Sequence, residues 1–376
     1  MKDEANLKAR ENKLIILAGA GSTSDLGYPT LDDLMYLTAT RNDDAGKLII
    51  DTHNELKYKK KTSAEFEALI GKLKDYQDIA NKLSIDGVLK ELCQPNQRIL
   101  DGIVGYKFYE ALTKCYRILA ESYGPKAINR TNKAYSSYPG LLEEVSKQNN
   151  HSLDIYTTNY DCSYQVLASN FSNISFLTHI SNKDDSFKDT LWYHTRKDLE
   201  GKALPEVYIH RLHGCIAWFN MPDKGGGPSN AHEKAGSGDV DNPPITDAEL
   251  HNMCIKLVSS PVFGTNSVFR SAFDEFYQHL KGIKTLLVWG YSFRDLEVTR
   301  IINDALHIRE NDPFDIYYID PYLTEKEAAE NIKQTLSVAP VEKANHFKPM
   351  RVKWTPDDGY EDLTGKIVAI TKEAYR

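Results

Sequence analysis

Apolar residues fall along this chain in two ways. Some are short, wholly apolar runs that stop at a glycine or a polar cluster. Others are longer stretches in which apolar residues return every three or four positions. The first short run is Leu14-Ile15-Ile16-Leu17-Ala18, broken by Gly19-Ala20-Gly21-Ser22. So short a run with no polar alternate reads as a strand buried on both faces, as in a parallel sheet. Further strand-like runs fall at 153–157, 174–177, 207–212, 285–289, 315–319 and 351–354. The stripe Val298, Ile301, Ile302 and Leu306 predicts a helix between two of them, and Thr324-Glu325-Lys326-Glu327 opens another with a capping box. This alternation predicts an α/β fold with a mostly parallel sheet and helices on both faces.

From about residue 31 to 148 the period is helical instead. Thr62-Ser63-Ala64-Glu65 is a capping box, after which Phe66, Leu69, Ile70 and Leu73 keep helical spacing. Phe108, Leu112, Cys115 and Leu119 mark a second amphipathic helix. The stretch reads as a helical module inserted into, or packed on, the α/β core. Residues of about 221–246 are rich in glycine and proline and read as a long mobile loop. The expected organisation is one domain over about 10–376 carrying both features.

Composition narrows the classes. The 376 residues allow one large domain with an insertion or two ordinary ones. An apolar fraction of 41% and a charged fraction of 26% are those of a soluble globular protein. The net charge of −7 argues against a surface built to neutralise phosphates, so direct nucleic-acid binding is not expected. The basic run Lys57-Tyr58-Lys59-Lys60-Lys61 reads as a solvated helix end or loop. The longest apolar run, Leu14 to Ala20, is too short to span a bilayer, and the charged segment before it lacks a secretory core, so a cytoplasmic location without membrane contact is expected. The five cysteines contain no close pair, which fits a reducing compartment and excludes a CxxC zinc knuckle.

Candidate chemistry collects where strands end. Gly19-Ala20-Gly21 after the first strand would let the backbone approach a pyrophosphate and donate its amides; it also reads as a tight strand-to-helix turn, and Ser24 stands where the usual third glycine of a dinucleotide loop would be. Thr157-Thr158-Asn159-Tyr160-Asp161 puts polar groups where open α/β sheets bind ligands, and equally fits an Asx-type turn. His210-Arg211-Leu212-His213-Gly214 offers a proton acceptor, though a lone histidine is more often structural. Gly290-Tyr291-Ser292 and Asp320 follow two more strands, the acid where it would accept hydrogen bonds from a ribose; either also serves as a helix cap.

Taken in order, these motifs resemble the sirtuin superfamily from about Leu14 to Asp320. The resemblance rests on Gly19-Ala20-Gly21 with Gly27-Tyr28-Pro29, on Thr157 to Asp161, on His213-Gly214, on Gly290-Tyr291-Ser292 and on Asp320. Two departures matter. Leu31-Asp32-Asp33 replaces an arginine that the deacylases carry, and only Cys215 and Cys254 fall where they carry a four-cysteine zinc module. The wording Thr-Thr-Asn-Tyr-Asp, Leu-His-Gly and Gly-Tyr-Ser-Phe-Arg-Asp is closer to the zinc-free sirtuin-like proteins of bacterial antiphage systems, which hydrolyse NAD⁺.

The resemblance therefore implies a Rossmann-like fold without a zinc ribbon, NAD⁺ as substrate, no metal, and cleavage of the nicotinamide–ribose bond. It implies His213 as base and Asn159 as the residue positioning ribose and water. Asp161 would recognise the carboxamide, and Gly19, Ala20, Gly21, Thr23, Gly290, Ser292 and Asp320 would hold the dinucleotide. A homo-oligomer is expected, with a HerA-type hexameric ATPase as the hetero-partner the family suggests. The alternatives are an NAD-dependent deacylase or ADP-ribosyltransferase and, in another class, a non-catalytic NAD or ADP-ribose sensor.

Overall fold

The computed structural model describes residues 13–29, 34, 44–59, 65–85, 95–178, 203–222, 228–233, 246–256, 267–293, 295–309, 312–319, 326, 347–350 and 360–375. In chain order the strands are β1 (Leu14–Ala18), β2 (Ser152–Thr157), β3 (Ser175–Thr178), β4 (Glu206–Arg211), β5 (Gly214–Pro222), β6 (Pro228–Glu233), β7 (Met253–Ile255), β8 (Thr285–Trp289), β9 (Asp315–Ile319) and β10 (Phe347–Met350). The helices are α1 (Asp44–Lys59), α2 (Glu65–Ile85), α3 (Pro95–Tyr123), α4 (Lys133–Gln148), α5 (Ser163–Asn170), α6 (Asp247–His251), α7 (Ser267–Leu280), α8 (Leu296–Ile308) and α9 (Glu361–Ala374).

Seven strands form one sheet in the order β10-β9-β8-β1-β2-β4-β3. Every pairing in it is parallel. The expected Rossmann-like α/β architecture is therefore the observed one. The alternation within β1 shows how both faces are covered. Leu14, Ile16 and Ala18 belong to one core cluster with Leu141, Leu142 and Val145 of α4 and Leu363 and Ile367 of α9. Ile15 and Leu17 point the other way, into a cluster with Phe273 and Phe276 of α7 and Val298 and Ile302 of α8. All five side chains of β1 are fully buried, which is why the run contains no polar alternate.

The sheet order reverses at β1: the chain goes to β2 on one side and later returns through β8 on the other. That places the carboxyl ends of β8, β1, β2 and β4 next to one another at a topological switch point.

Six of the predicted strands are present within a residue or two. The run at 351–354 lies outside the described residues, whereas β10 precedes it at 347–350, where Pro349 broke the apolar pattern. The helical stretch is present as α1 to α4, but it is not one unit. α1, α2 and α3 pack on each other, while α4 packs against β2, β4 and α9 as a layer of the α/β core. Phe66, Leu69, Ile70 and Leu73 on α2 are fully buried, as their spacing required. The capping residues Thr62 to Ala64 lie outside the described residues.

The glycine-rich stretch is a correction. Instead of a loop throughout 221–246, residues 228–233 form β6, which pairs antiparallel with β5, and β7 pairs with β5 on its other edge. The backbone ladder adds β6, a strand poor in apolar residues, to the apolar β5. β5 starts directly after His213 through Gly214, at φ +80°, where an added Cβ would stand 2.1 Å from the carbonyl oxygen of Cys254. Among the described residues no helix is long and apolar enough to cross a membrane.

A buried ionic cluster ties β4 to the α7 face. His210 Nε2 lies 2.7 Å from Asp154 Oδ1 and its Nδ1 lies 3.4 Å from Glu275 Oε2. The Tyr156 ring stacks on the imidazole at 4.3 Å, and its hydroxyl meets His279 Nδ1 at 2.7 Å. Burial works to lower the His210 pKa, but the charge of Glu275 and the bonds to Asp154 and Glu275 raise it to about 9. Because the folded value lies above the unfolded value of about 6.5, this stabilisation is complete below about pH 6.5 and disappears as pH rises through about 9. The stability difference between wild type and His210→Gln, read from urea melts, is expected to shrink across that window by on the order of 3 kcal/mol. A difference that stays flat from about pH 6 to about pH 9.5 would contradict the assignment.

Candidate active site

The strand register sets the site. Thr157 of β2 is the partner of Arg211 of β4, so Asn159 and His213 each stand two residues beyond paired strand ends. The Leu212 amide continues the pairing by donating to the Thr157 carbonyl at 2.9 Å. Four of the sequence motifs thus end on four adjacent strands, at one edge of one sheet.

Asn159 is 6% exposed. Its Nδ2 donates to the Gly19 carbonyl at 3.0 Å and to Thr23 Oγ1 at 3.1 Å. Thr23 Oγ1 in turn donates to Asp161 Oδ2 at 2.9 Å, and Asp161 Oδ1 accepts the Ser163 amide at 2.9 Å. The last bond is the Asx turn that the sequence allowed as an alternative, so Asp161 serves the turn and the network together. The β1 loop and the β2 loop are joined by side-chain hydrogen bonds in which each donor has an acceptor. Thr23, Asn159, Asp161 and Gly19 were all expected here, and these bonds bring them together.

The glycine loops show the tight strand-to-helix turn that the sequence also allowed. Their amides were expected to be open to a pyrophosphate. Gly19 N instead donates to the Trp289 carbonyl at 2.9 Å, and Gly21 N to the Gly290 carbonyl at 3.0 Å. The amides of Ser22 and Thr23 are turned back onto the carbonyls of Gly19 and Ala20. The glycines are needed because the β1 and β8 loops touch main chain to main chain. At Gly290, φ is +60° and an added Cβ would lie 2.4 Å from both the Gly21 carbonyl carbon and the Ser22 amide nitrogen. Ala20 is half-buried and Ser292 is exposed. Asp320 lies outside the described residues; Ile319 before it accepts the Gly290 amide at 3.0 Å.

His213 has a partner that sequence reasoning did not assign. Its Nε2 lies 2.5 Å from Asp295 Oδ2, and both side chains are 2% exposed. Asp295 is also the N-cap of α8, accepting the Glu297 amide at 2.8 Å and the Val298 amide at 3.4 Å through Oδ1. One carboxylate therefore caps the helix with one oxygen and holds the imidazole with the other. Burial works to raise the Asp295 pKa. The bond to His213 and its charge, the Lys256 ammonium and the Glu297 amide outweigh burial and lower it to about 2. The acid is ionised at neutral pH, so it accepts a hydrogen bond from Nε2 and leaves Nδ1 as the ring nitrogen it does not engage. The available signal was the acid closing Gly-Tyr-Ser-Phe-Arg-Asp just before a helical stripe, an N-cap by position.

Three further buried groups complete the arrangement. Lys256 is buried, with its Nζ 2.9 Å from Glu297 Oε2 and 3.8 Å from Asp295 Oδ2, and its amide bonds the His213 carbonyl at 2.9 Å. Arg211 donates to the Asn159 carbonyl at 3.1 Å and to Gln165 Oε1 at 2.8 Å. Tyr160 lies with its ring 6.1 Å from that of His213, and its hydroxyl is shared between Glu67 Oε1 at 2.7 Å and the Lys256 carbonyl at 2.8 Å. Burial and Glu67 push the Tyr160 phenol well up, so it stays a donor. Glu67 belongs to α2, so the helical module reaches the site directly.

Neither protein-family models nor curated proteins give any match to this chain.

Gly290→Ala tests the loop contact. It combines a left-handed backbone with a main-chain clash that no rotamer relieves, and is expected to cost more than about 2 kcal/mol. Thermal melting with the intact β1–β8 pair as reference measures it; a variant melting with the wild type would show that the two loops are not held together as described.

Proposed function

We propose that this protein is an NAD⁺ glycohydrolase whose reaction centre is the edge formed by β8, β1, β2 and β4. The observation that carries the reading is the pairing of an acid-held imidazole, His213–Asp295, with Asn159 two residues beyond register-paired strand ends. The sirtuin-like order of motifs supplies the substrate class.

Cleavage of the nicotinamide bond develops positive charge on the ribose, and the departing nicotinamide is neutral. The site needs a base for a ribose hydroxyl or water, an acceptor to orient that group, and exclusion of bulk solvent. His213 supplies the base through Nδ1, because Asp295 occupies Nε2. Asn159 spends its Nδ2 protons on Gly19 and Thr23. Its Oδ1 is the atom that accepts a hydrogen bond from the ribose hydroxyl or the attacking water, whose proton goes to His213. Buried Asp295 places its negative charge beside the imidazole that takes up the proton, and Asp161 recognises the carboxamide. With Asn159, Asp161 and His213 at 6%, 1% and 2% exposure, a dinucleotide enters only after part of the cover moves. Among the described residues the Glu67–Tyr160 contact from α2 is part of that cover, which supports gating by oligomer assembly or by a HerA-type ATPase acting through the helical module. An antiphage role is the biological setting we propose on the same resemblance.

Nicotinamide release from NAD⁺ by the purified chain, alone and with an acyl-lysine peptide, tests the reading; turnover only with the peptide would favour a deacylase. His213→Ala and Asn159→Ala are expected to lower release by about 10²–10⁴-fold while leaving a cooperative melt. Asp295→Asn is more discriminating. Asparagine keeps the helix cap through its Oδ1, so the melt stays cooperative, at a lower Tm because buried His213 and Lys256 lose a charged partner; the amide no longer accepts from Nε2, so kcat falls by about 10²-fold or more with KM little changed. Retained turnover in Asp295→Asn would remove the dyad from the mechanism.

A further inference from the structure

The described cysteines fall into two chemical kinds. Cys115 and Cys254 are buried thiols whose pKa is pushed up to about 12 by burial, and both are inert by that measure. Cys162 and Cys215 are also buried, at 1% and 0% exposure, but their sulfur atoms lie only 4.0 Å apart. Gln165 Nε2 donates to Cys215 Sγ at 3.3 Å, and the same amide accepts Arg211 through Oε1 at 2.8 Å. Burial would raise the Cys215 thiol, yet the bond with Cys162, the charge of Arg211, the Ala217 amide and Gln165 bring it down to about 6. A thiol next to a second sulfur, a polarised amide donor and a buried cation has the surroundings of a reactive cysteine.

The position gives the pair a consequence. Cys162 directly follows Asp161, and Cys215 follows Gly214, next to His213. Arg211 links the two halves, since its other terminal nitrogen holds the Asn159 carbonyl. The Ile216 amide already joins the loops by donating to the Tyr160 carbonyl at 3.0 Å.

We infer that Cys162 and Cys215 are a reversible disulfide pair whose oxidation by a peroxide resets the two strand-end loops that carry Asn159, Asp161 and His213. In the first step the Cys215 thiolate attacks one oxygen of hydrogen peroxide. The O–O bond breaks, a sulfenic acid forms on Cys215, and the other oxygen leaves as water after taking up a proton. In the second step the Cys162 sulfur attacks the Cys215 sulfur. The S–S bond forms, the S–O bond breaks, and the second oxygen leaves as water with the Cys162 proton. Two thiols lose two electrons and one peroxide becomes two waters. A disulfide is about 2.05 Å long, so the sulfurs must approach by about 2 Å. Catalytic groups tolerate displacements of only about 0.5 Å, so the bonded form is the less active one. That last step rests on the NAD⁺-cleavage reading; the bond itself does not.

The test treats the full chain with hydrogen peroxide under folded conditions, blocks remaining thiols, and maps linkages by mass spectrometry. Peptide-level hydrogen exchange is followed over 157–165 and 211–217, and nicotinamide release is measured before and after dithiothreitol. The expected result is a Cys162–Cys215 peptide, altered exchange in both segments and about 10²-fold slower release, all reversed by reductant. Neither Cys162→Ser nor Cys215→Ser should form the linkage; Cys215→Ser should lose peroxide sensitivity, whereas Cys162→Ser should stop at a sulfenic acid on Cys215. Both thiols surviving, or either one pairing with a different cysteine, would overturn the proposal. So would a linkage that forms with unchanged exchange and unchanged release. A reduced protein that never cleaves NAD⁺, yet forms the bond and shifts exchange, would sustain the pair and instead overturn the glycohydrolase reading.

Discussion

Strands β1 and β8 leave the sheet side by side, and the loops that follow them meet backbone on backbone. The Gly21 amide bonds the Gly290 carbonyl, and no side chain fits between them. In an open parallel sheet the crevice at such a switch point is the ordinary place for a ligand. Here the loops' own main chain closes that gap. The polar side chains consequently gather on the β1–β2–β4 flank, where Asn159 reaches back to the Gly19 carbonyl. The position of the site is thus fixed by an approach that only glycine permits.

What gathers on that flank is an unusual density of buried charge. Asp161, Arg211, Lys256, Asp295 and Glu67 are each nearly inaccessible. Ions so placed are tolerated only when they are paired or hydrogen-bonded, and the cost of removing one partner is large. The bonds among them cross from α2 through β2 and β4 to α8, so the arrangement behaves as a unit. β4 also separates two ionic systems by alternation alone. His210 faces α7 with Asp154 and Glu275, while its neighbour Arg211 faces Asn159 and Gln165. One strand thereby carries a structural cation on one side and a site-directed cation on the other.

The sheet was legible because its central strands are buried on both faces. Leu14 to Ala18 and Thr285 to Trp289 could be read without knowing their neighbours. β6 was not legible, since its pairing with β5 depends on backbone hydrogen bonds that carry no hydrophobic signature. Nor was the division of the helical stretch: α3 and α4 follow one another in it, and only tertiary contact assigns one to the module and the other to the sheet. In the site, Thr23, Asn159 and Asp161 were found by their place after strands. Asp295 was missed because an acid before a helix is a sufficient cap by itself, and its second oxygen's partner lies 82 residues earlier in the chain. The two readings of the glycine amides could not be separated for a related reason. Composition shows that a loop can approach something closely, but not whether that something is a phosphate or another loop.

The double use of Asp295 has a dynamic meaning. A side chain that only oriented an imidazole would lose its hold through local rotamer motion, one residue at a time. This carboxylate is locked in place by the first amides of α8, a helix of 13 residues whose inward face is part of the core. Fraying of that first turn and loss of the ring's orientation are therefore a single event. The order of one histidine inherits the cooperativity of an entire secondary-structure element, and its lifetime in register is set by helix opening and not by the faster clock of side-chain rotation.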